Sequence, residues 1–192
     1  MLTRYLIRFG SLAALCILGI AAQPALAQTA GSFSEYDVKA ALLYNATKFI
    51  RWPAPADAPR NRQMQICVIG SEPAFKAMRA LNGKKIHNAS ISVVRQQSNA
   101  PELKLCDIAY FSDVATAKNR TSLLALDSLP VLTVGQTDAF AEHGGVMSLV
   151  LSNNRVNFVI NASAADKSQL EINAQLLEVA RVIRPVTSAK NP

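Results

Sequence analysis

The sequence predicts a single α/β domain, in which a mixed, mostly parallel β-sheet is flanked by helices and is followed by a C-terminal hairpin and a long final helix. Short apolar runs, two of which end at glycine, alternate with segments of helical periodicity, as in the crossover units of a parallel sheet. Two later apolar runs are separated only by the polar residues 152–155, which favours an antiparallel hairpin. Half of the 192 residues are hydrophobic, so the chain can bury a substantial core.

The N-terminal segment 1–27 is predicted to be a cleavable signal peptide. Two arginines precede an apolar run at residues 12–22, and a small-x-small sequence ends at Ala27. A basic start, an apolar middle and a small-residue cleavage site are typical of secretory signals. The apolar run is well short of the roughly 20 residues that a helix needs to cross a bilayer. We therefore expect cleavage between Ala27 and Gln28 and export to the periplasm.

The mature chain, residues 28–192, is expected to form one domain with its core at about residues 34–184. The formal net charge of the whole chain is +7, but Lys and Arg are scattered along it. A nucleic-acid partner would require a clustered basic patch, and none is present in the sequence. Nucleic acid is therefore not an expected partner, and the charge is interpreted as favouring solubility.

The first helix of the mature chain is predicted to begin after Ser34, because Asp37 three residues later resembles a capping box. It is expected to end before Trp52. Its apolar positions form a wide face, and Phe49 on that face is interpreted as a core residue. Lys39 is assigned to the opposite, solvent-facing side.

Strands and helices are then predicted to alternate up to residue 135. The Pro- and Ala-rich segment 53–62 is expected to be a surface loop that precedes them. The predicted strands are residues 64–69, 91–96, 106–111 and 130–134, and the predicted helices are residues 73–81 and 120–126.

The C-terminal region is predicted to contain a hairpin and one long helix. The hairpin strands are residues 146–151 and 156–160. Ser163 is expected to cap the final helix, and Pro185 is expected to end it. The apolar residues that indicate helical spacing are Ile172, Leu176, Val179, Ala180 and Ile183.

The mature chain retains two cysteines, because Cys16 lies inside the signal peptide. Cys67 and Cys106 each lie in an apolar, strand-like segment, and a pair of this kind is expected to bond in an oxidising compartment. Closing a loop of about 40 residues would stabilise the fold by about 4 kcal/mol in the chain-entropy model. The alternative is two buried free thiols.

Motifs for catalysis, cofactors and metals are absent from the sequence. It contains no Gly-x-Ser-x-Gly element, no phosphate-binding loop and no dinucleotide fingerprint. His87 and His143 have no partner at metal-ligand spacing, and the cysteines do not form a Cys-x-x-Cys pair. The chain is therefore not predicted to be an enzyme or to hold a cofactor or a metal, and both histidines are expected to be exposed loop residues.

Tyr44 and Trp52 are candidate contact residues for a protein partner. Together with Phe49 they cluster at the end of the first helix beside the Pro-rich loop. Tyr and Trp are enriched at the energetic centres of protein interfaces. The alternative is that these aromatic side chains belong to the core.

Several short motifs occur along the chain, and their order and spacing together are specific enough to indicate a protein family. They are residues 39–53, a cysteine-containing strand that ends at Gly70, residues 130–135, Gly144-Gly145 and residues 158–161. With these motifs the chain resembles the YfiR-like periplasmic family from about Tyr36 to Ile183.

The resemblance implies a small periplasmic regulator that acts by contact. The best-known member of the family represses an inner-membrane diguanylate cyclase by binding the periplasmic sensor domain of that cyclase. An outer-membrane lipoprotein that binds peptidoglycan sequesters the repressor, which raises cyclic di-GMP and favours biofilm. That member uses disulfides to hold its competent state, and Cys67 with Cys106 matches one of them. The second disulfide cannot form here, since no cysteines remain.

The leading hypothesis is a regulator that binds and inhibits or tunes an inner-membrane diguanylate cyclase or sensor kinase, with the peptidoglycan-binding lipoprotein and a homodimer as further candidate partners. The first alternative is a small-ligand sensor, since loops after Gly70, Phe111 and Gly135 would converge at the carboxyl ends of parallel strands. The second alternative is a hydrolase that uses residues such as Ser112, Asp113 and His143.

Overall fold

The fold is seen in a computed structural model that describes residues 33–53, 63–113 and 117–184, all within one unit of the chain, Phe33–Pro192. The predicted signal peptide, with its cleavage site between Ala27 and Gln28, lies outside the described residues, and so does the predicted loop apart from Pro53.

Helices and strands alternate through most of the chain. The helices are α1 (Glu35–Thr47), α2 (Glu72–Arg79), α3 (Ala117–Leu126), α4 (Asp138–Glu142), α5 (Ala162–Lys167) and α6 (Ala174–Glu178), with a 3₁₀ turn at Pro101–Leu105. The strands are β1 (Ile50–Arg51), β2 (Gln63–Ile69), β3 (Lys85–Ile86), β4 (Ala89–Gln96), β5 (Ile108–Phe111), β6 (Leu132–Gly135), β7 (Met147–Ser152), β8 (Arg155–Asn161), β9 (Glu171–Ile172) and β10 (Ala180–Ile183).

The main sheet has eight strands in the order β10-β8-β7-β6-β5-β2-β4-β3. Neighbouring strands run parallel except in the β3–β4 and β7–β8 pairs. The predicted fold class, a mixed and mostly parallel sheet flanked by helices, is therefore confirmed, and so is the C-terminal hairpin. The order of β4, β2, β5, β6 and β7 is that of flavodoxin-like doubly wound sheets.

Each face of the sheet has its own hydrophobic core. Side chains alternate along a strand, so Ile66 and Val68 of β2 enter one core while Cys67 and Ile69 enter the other. Helices α1 and α2 contribute buried residues to the first core, and α3 together with the 3₁₀ turn contributes to the second. The crossover through α2 therefore lies on the face opposite to the crossover through α3.

The predicted cap of α1 is confirmed. The Ser34 hydroxyl accepts a hydrogen bond from the backbone N–H of Asp37, and the Asp37 carboxylate accepts one from the backbone N–H of Ser34. Hydrogen bonds from the Ser34 side chain and backbone also lower the pKa of Asp37 below its ordinary value. The cap fixes where α1 begins.

Two predictions about the faces of the first helix are wrong. Lys39, predicted to face solvent, is 1% exposed, whereas Phe49, predicted to lie in the core, is 38% exposed. The helix ends at Thr47, so Phe49 lies beyond it and does not continue its buried face. The buried residues of the helix are Lys39, Ala40, Leu43, Ala46 and Thr47.

The predicted long final helix is also wrong. Two short helices and two strands occupy this region, and Asn161 rather than Ser163 caps the first helix. Gln169 has a φ of 55°, which is outside the helical region and ends the first helical segment. Residues Ala180–Ile183 form β10, which pairs in parallel with β8 at the edge of the sheet. The pairing with β8 replaces the helical turns that the apolar spacing predicted.

Among the described residues, no helix combines the length and the apolar character needed to cross a membrane.

Candidate functional site

The loops that follow β2, β5 and β6 meet at the carboxyl end of the sheet. The backbone N–H of Ser71 donates a hydrogen bond to the Ser112 hydroxyl at 2.6 Å. The Gln136 side-chain amide donates a second hydrogen bond to the backbone carbonyl of Ser112. The structure thus brings together the three strand ends whose convergence was expected, and Ser112 is the residue that joins them.

Gly70 allows the first two of these loops to approach each other. Its φ is +116°, a conformation that side chains of L-residues rarely adopt. A Cβ atom at this position would overlap the Ser112 hydroxyl and lie 2.6 Å from Oδ1 of Asp113. The close approach of the strand ends therefore requires glycine.

A buried lysine connects α1 to this end of the sheet. The Lys39 ammonium pairs with the Glu35 carboxylate and donates a hydrogen bond to the side-chain oxygen of Gln136. On the same helix, the hydroxyl of Tyr36 lies 3.5 Å from the hydroxyl of Ser71. A buried ammonium needs such partners, because burial without them is costly. The N-terminal half of α1 is thus held on the strand-end loops by polar contacts.

Tyr110 lies beneath these contacts, fully buried on β5. Its hydroxyl has no hydrogen-bond partner among the described residues. Burial raises the pKa of Tyr110 far above its ordinary value, and Tyr36 and Glu35 raise it further. The phenol therefore remains protonated in the folded protein.

An open groove of about 970 Å³ lies at the same end of the sheet. Gly70 and Ile69 form part of its wall, and Arg95 at the end of β4 forms another part. The Arg95 guanidinium pairs with the Glu72 carboxylate and donates a hydrogen bond to the Gly70 carbonyl at 3.0 Å. The remaining lining residues are Gln96, Gln97, Ser98, Asn99, Asp113, Asn119 and Thr121.

The predicted contact residues Tyr44 and Trp52 lie at the opposite, amino end of the strands. The Tyr44 hydroxyl donates a hydrogen bond to the backbone carbonyl of Lys85 at 3.1 Å. The Trp52 indole N–H donates one to the backbone carbonyl of Asp107, also at 3.1 Å. Both side chains are partly buried and pack against the first core, so both have a structural role as well as an accessible part.

Positive charge surrounds the Tyr44 ring. The Lys48 ammonium lies 4.3 Å from the ring centroid and the Lys84 ammonium lies 5.4 Å from it. Lys48 also borders a smaller groove of about 280 Å³, together with Phe49 and Arg51. We call the residues Tyr44, Lys48, Phe49, Lys84 and Lys85 the Tyr44 surface.

The predicted disulfide between Cys67 and Cys106 is present, with a Cα–Cα distance of 5.9 Å. Cys67 lies on β2, and Cys106 lies between the 3₁₀ turn and β5. Both cysteines are buried in the second core. The bond therefore holds the 3₁₀ crossover against the central strand of the sheet.

The three residues of the hydrolase hypothesis are not joined into a catalytic arrangement in the described part of the chain. The Ser112 hydroxyl lies 3.4 Å from the Asp113 carboxylate. His143 is exposed, as expected, at the end of α4, and its Nδ1 lies 2.6 Å from the backbone carbonyl of Ala139. No hydrogen bond is described between His143 and Ser112, so the histidine is not placed as a base for this hydroxyl in the described part of the chain.

His87 is exposed as well. The residues described contain no group of three His, Cys, Asp or Glu side chains that could hold a metal ion.

Sequence reasoning missed Lys39, Gln136 and Tyr110 as parts of the strand-end cluster. Glu35 and Lys39 are spaced at i and i+4, which indicates an ion pair but not its burial. Gln136 directly follows the glycine that ends β6, a position where ligand-binding residues occur in doubly wound sheets. No sequence signal distinguishes Tyr110 from an ordinary core aromatic residue.

Comparison with known proteins gives a family match. A family model described as YfiR/HmsC-like matches residues 36–181, which is more than half of the chain. A search of curated proteins finds no match. Among solved structures, the chain is similar to the ABC domain from Streptococcus pneumonia in complex with L-Trp, at 14% sequence identity and a TM-score of 0.46. This similarity covers 62% of the present chain and 55% of that chain, so the present chain spans about half of its length.

Proposed function

The chain belongs to the YfiR/HmsC-like family, and on that basis we propose that it is a periplasmic protein that binds and inhibits or tunes the sensor domain of an inner-membrane signalling protein. The observation that carries the proposal is the family match over residues 36–181. The family is one of periplasmic regulators of cyclic di-GMP signalling rather than of enzymes. The proposed partner is therefore a diguanylate cyclase, and a sensor kinase is the alternative.

Export and oxidation fit this proposal. Cleavage between Ala27 and Gln28 would deliver the mature chain to the periplasm. A disulfide between Cys67 and Cys106 persists in an oxidising compartment and would be reduced in the cytoplasm. In this proposal the bond stabilises the form of the protein that binds its partner.

We place the partner contact at the Tyr44 surface. Tyr44 offers a partly buried ring at the end of α1, and Phe49 adds an exposed apolar side chain. The exposed side chains of Lys48, Lys84 and Lys85 make this area basic. Charge complementarity at the rim of an interface accelerates association and selects partners. The surface would therefore fit an acidic face of the sensor domain. Trp52, which follows β1, is fixed by its hydrogen bond to the backbone carbonyl of Asp107.

The experiment is in-cell crosslinking of the tagged mature protein, followed by recovery of membrane complexes and mass spectrometry against a tag-only control. We expect an inner-membrane cyclase or kinase to be recovered. The double variant Lys48→Glu, Lys84→Glu should reduce recovery about tenfold, because charge reversal opposes an acidic partner. Arg155→Glu, an exposed charge reversal at the hairpin turn, is the matched control and should recover the partner normally.

Cellular cyclic di-GMP provides the functional measurement. Deleting the gene should raise cyclic di-GMP and biofilm mass, and the wild-type protein should restore both. Absence of any inner-membrane signalling protein from the crosslinked complexes, together with unchanged cyclic di-GMP, would reject the proposed function. Normal recovery by the double lysine variant would instead reject only the Tyr44 surface as the contact.

A peptidoglycan-binding outer-membrane lipoprotein and a second copy of the chain are further proposed partners. Mass spectrometry of the same crosslinked samples tests for the lipoprotein, which should be recovered from the outer-membrane fraction. Sedimentation velocity of the oxidised mature protein reports a homodimer. A monomer at all accessible concentrations would remove the homodimer from the proposal.

A further inference from the structure

The open groove described above lies at the topological switch point of the sheet. The crossover from β2 passes through α2 on one face, and the crossover from the neighbouring strand β5 passes through α3 on the other. The connections therefore leave these two strands in opposite directions. Doubly wound sheets bind ligands in the crevice outside the carboxyl ends of such strands. Gly70 and Asp113, which follow β2 and β5, both line the groove.

The side chains of the groove are almost all polar. Ile69 is the only lining residue with a large apolar side chain among those described. Most small-molecule sites are lined mainly by hydrophobic and aromatic groups, so this groove differs from the usual composition. Amide side chains both donate and accept hydrogen bonds, and so do hydroxyl groups on a ligand. The hydrogen-bonding side chains on the accessible side of the groove are Gln96, Gln97, Ser98 and Asn99, whereas Asn119 is buried and donates to the backbone carbonyl of Asp113 at 3.3 Å.

The charges of the groove do not favour an anion. Arg95 is the only cationic side chain described in its lining, and the Glu72 carboxylate already pairs with it. Asp113 adds a negative charge at the opposite wall. A carboxylate or phosphate ligand would therefore meet a neutralised guanidinium and a carboxylate. An apolar ligand would displace water from the amide groups of Gln96, Gln97 and Asn99 without replacing its hydrogen bonds, which is costly.

The wall formed by Gly70 is closely packed against the end of β5. Its carbonyl accepts the hydrogen bond from Arg95, and the Ser112 hydroxyl and the Asp113 carboxylate fill the place that a Cβ atom would take. The backbone N–H of the next residue, Ser71, is also held in place by the Ser112 hydroxyl. The two strand ends thus form a fixed base, and the segment 96–99 forms a polar side of the groove.

From these observations we propose that the groove binds a neutral polyhydroxyl ligand of the size of a mono- or disaccharide. The ligand hydroxyls exchange hydrogen bonds with the amide side chains, and the Asp113 carboxylate accepts from one of them. The groove lies at the end of the strands opposite to the Tyr44 surface. Ligand binding is therefore a property additional to the proposed regulatory contact, and it can be tested without any protein partner.

The test is a titration of the isotope-labelled, oxidised mature protein, followed through the backbone amide signals. Maltose is the neutral polyhydroxyl probe, and citrate is the anionic probe of comparable polarity. We expect maltose to cause saturable shifts at Gly70, Asn99 and Asn119 with a Kd of about 1 mM or tighter. Citrate should cause no saturable shifts at these positions.

Variants localise the binding. Asn99→Ala removes an exposed amide of the groove, and Asp113→Asn removes the carboxylate charge while keeping the shape of the side chain. Each should weaken maltose binding about fivefold, which corresponds to the loss of one hydrogen bond. Asn157→Ala, an exposed asparagine on β8, is the matched control and should bind maltose normally.

A further variant tests whether the ion pair of Arg95 with Glu72 keeps anions out of the groove. Glu72→Gln removes the carboxylate that pairs with Arg95, and this variant should gain measurable citrate binding. The proposal is overturned if maltose gives no saturable shifts, if the shifts lie outside the groove, or if the wild-type protein binds citrate instead. Thermal melts of all variants establish that each is folded at the temperature of the titration.

Discussion

The ammonium group of Lys39 on α1 donates a hydrogen bond to the side-chain oxygen of Gln136, the residue that follows β6. The amide nitrogen of the same Gln136 donates to the backbone carbonyl of Ser112, which follows β5. One glutamine side chain therefore connects a buried charge on a helix to the loops at the carboxyl end of the sheet. Loss of the lysine should affect the stability of the whole region.

Lys39→Ala is expected to lower the free energy of unfolding by about 2–4 kcal/mol, because it removes a buried stem and leaves the Gln136 oxygen without its donor. Lys39→Met keeps most of the stem and should cost less. Lys48→Ala at the C-terminal end of α1 is the control, and loss of its exposed side chain should change stability by no more than about 0.5 kcal/mol. Urea denaturation measures all three, and equal stabilities of the two alanine variants would contradict the role of Lys39.

Gly70→Ala should destabilise the protein by about 3 kcal/mol or more. The new Cβ would overlap the Ser112 hydroxyl, and the positive φ of this position adds backbone strain. Gly83 has a φ of +75°, but a Cβ atom added there would have no neighbour within 4 Å, so Gly83→Ala isolates the backbone cost alone. That cost is about 1–2 kcal/mol. If urea denaturation gives the same loss of unfolding free energy for both variants, the overlap with Ser112 adds no cost and the prediction for Gly70 is wrong.

Reduction of the Cys67–Cys106 disulfide should lower the free energy of unfolding by about 4 kcal/mol, because the bond closes a long loop in the unfolded chain. Denaturation with and without reductant measures this difference. The double variant Cys67→Ser, Cys106→Ser should show a comparable loss and no response to reductant. A wild-type protein that melts identically in both conditions would indicate that the bond does not form in solution.

Tyr110 should make the protein less stable as the pH rises above 10. Its pKa in the folded state lies above the value of 10.0 of an exposed tyrosine, so only the unfolded chain releases the proton in this range. The expected loss from this group is up to about 1.4 kcal/mol per pH unit.

Tyr110→Phe should lack this component and should unfold with equal or slightly higher stability at pH 7, since the buried hydroxyl has no partner among the described residues. The measurement is urea denaturation of both proteins at pH 7 and from pH 10 to pH 11. A parallel decline of the two proteins above pH 10 would contradict the assignment to Tyr110.

Local sequence signals predicted much of the fold. The capping box of Ser34 and Asp37 is contained in four consecutive residues, so it could be recognised without tertiary information. The apolar strands that end at Gly70 and Gly135, and the hairpin turn between β7 and β8, carry equally local signals. The pairing of two cysteines could be anticipated because the third cysteine of the chain, Cys16, lies in the predicted signal peptide.

The candidate site was predictable only in outline. The expected convergence of the loops after β2, β5 and β6 follows from the rule that parallel strands end at one edge. The contacts that join them depend on register, which pairs Ile69 with Phe111 and so brings Ser71 beside Ser112. The burial of Lys39 depends on where Gln136 and Glu35 come to lie around it.

The sequence by itself determined the α/β class, the positions of the central strands and the first helix cap, because these features depend on neighbouring residues and on side-chain periodicity. Tertiary structure decided that residues 180–183 form a strand. Their apolar spacing also fits a helix, but the edge of β8 provides backbone hydrogen-bond partners for a strand. Tertiary structure also decided that Lys39 is buried while Phe49 is exposed. Burial depends on what packs against a side chain, and that neighbour comes from a distant part of the chain.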